Sequence, residues 1–98
     1  MKKDKAIEAV DRALTMASDH LSGRRDPTLP DYLDPQVQRF LETLKEMKAS
    51  LEGPDGNWVS ERYMCRAITD GWPFESQLSE LVCEAECRYF SLKASMQK

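Results

Sequence analysis

Four side chains have the chemistry to hold a metal or attack an electrophile: His20, Cys65, Cys83 and Cys87. Cys83 and Cys87 stand four apart, so one helix presents both thiols on a single face. His20 and Cys65, arriving from other helices, would complete a four-ligand zinc site. Packing by small side chains is the simpler account of the same spacing. A nucleophilic cysteine needs a neighbouring base or a helix N-terminus, whereas Cys83 and Cys87 lie mid-segment among glutamates that raise a thiol pKa. His20, beside Asp19, has no metal ligand at suitable spacing nearby and reads as a surface or helix-end histidine. Glu80 and Glu84 resemble an acid/base couple, but Arg88 follows Glu84 by four residues, the pattern of a solvated helix face. The glycines are scattered at helix ends, so no phosphate-cradling loop forms. The sequence therefore predicts no enzyme, no cofactor and no metal.

The elements that would carry these side chains are helices. Ile7, Val10, Leu14, Ala17 and Leu21 recur at three- and four-residue steps, and Glu8 precedes Arg12 in the order that favours an ion pair. Gly23 supplies a stop. Prolines 27, 30 and 35 make "RRDPTLPDYLDP" an ordered loop, ending in Asp34 as N-cap and Pro35 in the first turn. Val37, Phe40, Leu41, Leu44, Met47 and Leu51 form a second amphipathic stripe, broken by "EGPDGN". A short third helix is expected over about residues 60–69, capped by Ser60, with Met64, Ala67 and Ile68 inward and Gly71 and Pro73 ending it. The last helix, about residues 75–96, carries Leu78, Leu81, Val82, Ala85, Tyr89, Leu92 and Met96 on one stripe. Ser76, Ser79, Cys83, Cys87 and Phe90 form a second stripe, which is either sandwiched in the bundle or turned toward a partner. The expected fold is all-α, a compact bundle of about four helices with two longer loops, occupying residues 1–98 as a single domain.

Length and composition agree with that. Ninety-eight residues, 41% hydrophobic and 32% charged, suit one small globular domain with a modest core. No apolar run approaches the ~18 residues of a membrane span, and the charged start is unlike a signal peptide, so no membrane association and a cytoplasmic location are expected. Three cysteines suggest free thiols rather than a disulfide framework. Residues 26–57 hold three basic against seven acidic side chains. Nucleic acid is disfavoured, and a basic protein surface suits that acidic middle.

The opening segment "AIEAVDRALTMASDHL", with Ile7, Glu8, Asp11, Arg12, Ala13 and Leu14 at its centre, resembles the first helix of the small all-helical immunity proteins that protect bacteria from type VI secretion toxins of the NAD(P)+ glycohydrolase kind. The likeness continues more weakly through "VQRFLETLKEM" and "ESQLSELVCEAECRYF". It implies a cytoplasmic protein that binds the catalytic domain of a cognate toxin and occludes its cleft. The Pro-rich loop, "GPDGNW" and "DGWPF" are not part of the likeness, so it assigns no contact residues.

Contact residues follow instead from aromatics and acids in the loops. Tyr32, flanked by Asp31 and Asp34, is the aromatic most expected to be exposed, and Tyr63 lies off the buried face of the third helix. Trp72 and Phe74 are expected to plug the joint between the third and fourth helices, with Asp70 and Glu75 on its rim. Trp58 and Asp55 follow the second break. The expected partner surface is thus Asp31, Tyr32 and Tyr63 together with Asp55, Trp58, Asp70, Trp72 and Glu75. An adaptor or chaperone that holds an amphipathic partner helix on the second stripe of the last helix is the alternative, and that stripe would serve equally for a homodimer.

Overall fold

The computed structural model describes residues 2–53, 59, 61–73 and 76–96. Four helices, α1 (Lys2–Leu21), α2 (Asp34–Glu52), α3 (Met64–Gly71) and α4 (Gln77–Met96), form an all-α bundle. No strand occurs among the described residues. A 3₁₀ turn, Asp31–Leu33, leads directly into α2.

Helix α1 is the centre, packing against α2 on one side and α4 on the other. Its buried stripe is Ala6, Ala9, Val10, Ala13 and Ala17, closing on His20. Small side chains let two neighbouring helices approach one backbone. The larger Ile7, Leu14 and Leu21, expected at the centre of the face, sit half-buried on its flanks. This shift follows from two-sided packing, where the bisector of the contact takes the smallest residues. An ion pair, Asp11 to Lys48 at 2.7 Å, ties α1 to α2 across the surface.

Helix α2 buries Val37, Phe40, Leu41, Leu44, Met47 and Leu51, the six residues of its expected stripe. Helix α4 buries Leu78, Val82, Ala85, Tyr89 and Leu92, with Leu81 half-buried. Its second stripe is covered over its first half: Ser76 and Ser79 are buried, Cys83 and Phe90 half-buried, and Cys87 exposed. Helix α3 lies on α4 and starts later than the sequence suggests, at Met64. Ser60 lies outside the described residues. The first amides of α3 go to a different cap: Glu86 of α4, which is 1% exposed, accepts the N–H groups of Met64 at 2.8 Å and Cys65 at 3.2 Å. A carboxylate there satisfies donors that the helix cannot, and it meets the positive end of the helix dipole.

No helix of the described residues is long and apolar enough to cross a membrane.

Candidate functional site

Helix α1 ends in a left-handed turn. Gly23 has φ +117, which a side chain would strain, and Arg24 N–H bonds back to Asp19 at 2.9 Å. The chain then folds over the helix end and returns the backbone N–H of Asp26 to His20 Nδ1 at 2.9 Å. A ring nitrogen that accepts an N–H carries no proton, so the neutral ring holds its proton on Nε2, 3.3 Å from Asp34 Oδ1. His20 is fully buried, a place that its neighbours in sequence do not foretell.

Asp34 was expected to cap α2. Instead Leu33 occupies the cap position with no side-chain bond, and the Asp34 carboxylate turns back toward Arg25, whose Nη2 donates at 2.6 Å. A guanidinium is a stronger partner for a carboxylate than a backbone amide. The bond from Arg25 holds the Asp34 carboxyl below its ordinary range, with smaller help from His20, and the same bond raises Arg25. Arg25 Nη2 also reaches Asp31 at 3.0 Å.

Asp26, 8% exposed, is the other hub. It accepts from the N–H and hydroxyl of Thr28 at 2.9 and 2.5 Å, from Ser76 Oγ at 2.8 Å and from Leu78 N–H at 3.3 Å. Burial pushes its carboxyl up, but these bonds together outweigh it and leave the group below its ordinary value. Ser76 completes the start of α4: its Oγ accepts from Ser79 N–H at 3.1 Å, while Ser79 Oγ donates to the Ser76 carbonyl at 2.7 Å. One loop therefore joins the end of α1 to the starts of α2 and α4.

On top of this network stands Tyr32, 76% exposed, the one large hydrophobic side chain exposed among the described residues. Leu29 and Leu33, on either side of it in the chain, are buried, and Leu33 N–H bonds to the Pro30 carbonyl at 3.1 Å. Asp31 beside it is exposed and tethered only at its edge by Arg25.

Of the remaining predicted contact residues, Trp72, Tyr63 and Asp70 are described. Trp72 is buried, stacked on Phe40 at 5.3 Å between ring centres, with its indole N–H donating to Gln36. It packs the end of α3 onto α2, whereas the sequence suggested the joint of α3 with α4. Tyr63 is half-buried against the edge of Phe40, with its hydroxyl 2.7 Å from Thr43 Oγ1 and Arg39 over its ring. Asp70 is exposed on the last turn of α3. Asp55, Trp58 and Glu75, like Phe74, lie outside the described residues. Among the described contact candidates, only Asp31 and Tyr32 form a contiguous exposed pair.

The cysteines are free, and burial, followed by the neighbouring Cys65, pushes the Cys83 thiol up to about 12. Such a thiol is a poor nucleophile at neutral pH. Among the described residues no group of three His, Cys, Asp or Glu side chains is placed to hold a metal ion. Sequence reasoning missed His20, Asp26 and Glu86 as buried groups. For Glu86 a signal existed, because it falls beside Ser79 on the second stripe of α4.

Comparison with protein-family models, curated proteins and solved structures found no match.

Proposed function

We propose that this chain is an immunity protein, a cytoplasmic inhibitor that binds the catalytic domain of a cognate interbacterial toxin and occludes its cleft. The toxin activity is NAD- or ADP-ribose-related, as the likeness of residues 6–21 to the first helix of that immunity family implies. The observation that carries the reading is Tyr32: an aromatic side chain, 76% exposed, stands next to an exposed carboxylate on a turn held from below. Aromatic anchors backed by complementary charge dominate protein interfaces, and a chain that acts by occlusion needs no catalytic group of its own.

The test is co-expression of the chain with the toxin domain encoded beside its gene. Survival of the cells and co-purification of a one-to-one complex are expected, with both reduced in Tyr32→Ala. Binding without rescue would replace inhibition by an adaptor role. Neither rescue nor binding would overturn the proposal.

A further inference from the structure

We infer that the Tyr32 turn is preset in the free chain by Arg25 and His20, and that it is shaped for a cationic cleft on the partner protein. This rests on the inhibitor reading above and adds the partner's chemistry and two positioning residues that never touch it.

The residues on both sides of Tyr32 are anchored. Pro30 restricts the backbone before the turn, Leu33 is buried after it, and Asp31 is held to Arg25 at 3.0 Å. Arg25 is in turn fixed by Asp34 at 2.6 Å, and Asp34 is backed by the buried His20 ring. The ring is oriented by the Asp26 N–H at its other nitrogen. A linked chain of five residues thus ends at Asp31, next in sequence to the exposed Tyr32. Preorganisation of this kind removes the entropy that a loose loop would lose on docking.

The charge at the turn selects the partner. Asp31 and Asp34 share the single guanidinium of Arg25, so this trio keeps one excess negative charge, and the Asp31 side chain that carries it outward is 92% exposed. A partner cation meets the other oxygen of the Asp31 carboxylate while Arg25 holds the first, so docking breaks no tether. The complementary surface is an apolar slot for the phenol ring bordered by Lys or Arg.

The experiment has two arms, both on the full chain. Amide exchange of Leu29 and Leu33, whose N–H groups bond to the Asp26 and Pro30 carbonyls, is measured in free wild type and in Arg25→Gln and His20→Ala. Slow exchange in wild type that becomes fast in both variants is expected, and fast exchange in wild type overturns the preset turn. Affinity for the toxin domain encoded beside the gene is then measured at low and high salt. Tyr32→Ala is expected to bind about 30-fold more weakly at unchanged melting temperature. Arg25→Gln should bind about tenfold more weakly through the loosened turn. Wild-type affinity should fall with salt, and Asp31→Asn should flatten that dependence. Salt-independent binding, or Tyr32→Ala binding like wild type, overturns the cationic cleft while leaving inhibition standing. No binding by wild type overturns the inhibitor reading and the cleft together, and the exchange arm still decides the preset turn.

Discussion

The imidazole of His20 accepts the backbone N–H of Asp26 at 2.9 Å, six residues further along the chain, and both residues are buried. That bond closes the loop between α1 and α2, and it places the Asp26 carboxylate where Ser76 and Leu78 N–H of α4 can reach it. A side chain from one helix end thereby organises the starts of two others.

His20→Ala removes the acceptor, leaves a buried amide without a partner and opens a cavity, so it should cost about 2–4 kcal/mol. His20→Asn keeps an oxygen near the position of Nδ1 and loses only the contact to Asp34, so it should cost less than half as much. Urea unfolding of the two variants and wild type checks the order. Equal losses would show that the Asp26 bond contributes little.

A second buried hub sits across the bundle. Glu86→Ala leaves the first two amides of α3 uncapped and should destabilise the chain by about 2 kcal/mol, whereas Glu86→Gln, which keeps one acceptor, should lose about half of that. Because Trp72 ends α3 and stacks on Phe40, its fluorescence should shift to the red before global unfolding in the alanine variant. A Trp58→Phe background isolates that signal. A single coincident transition would mean that α3 does not loosen on its own.

These two hubs mark where the sequence stops being informative. The stripes of α2 and α4 were legible because one helix face repeats every three to four residues, and six of six α2 positions proved buried. The face of α1 was misplaced by part of a turn, since periodicity alone cannot tell a helix packed on one side from one packed on two. Tyr32 was legible as an exposed aromatic because prolines and acids surround it. Trp72 was legible as buried, but its packing partners, Phe40 and Gln36 of α2, were not. His20 and Asp26 were not legible as buried groups, because the bonds that hold them inside include partners 6, 14, 50 and 52 residues away that no local pattern encodes, whereas Glu86 could have been placed by its position on the second stripe of α4.

Acid should loosen the same loop. The folded-state pKa values of Asp26 and Asp34 lie below their ordinary value of 3.8. A depressed carboxyl contributes stability that is fully present above the unfolded pKa and lost as pH falls through the folded one. Stability from these groups should therefore be flat from pH 7 to about 5 and decline below about 4. Asp26→Asn should lower stability at pH 7 and make the acid limb shallower. An acid limb unchanged in that variant would remove Asp26 as its source.

Tyr32 and Trp72 were both read from sequence as contact residues, and the structure predicts opposite signatures for them. Tyr32 is exposed, so Tyr32→Ala should change stability by no more than about 0.5 kcal/mol, and any loss of binding belongs to the contact itself. Trp72 is 6% exposed and stacked on Phe40, so Trp72→Ala should cost about 3–5 kcal/mol, and its loss of binding should track the unfolded fraction. Trp72→Phe, which refills most of the space but leaves Gln36 without its indole donor, should recover much of that stability. Thermal unfolding measured beside affinity for the proposed toxin partner, for all three variants, separates the roles. If Trp72→Phe folds like wild type yet binds poorly, the indole itself reaches the partner and the contact surface extends from the Tyr32 turn to the α3 end.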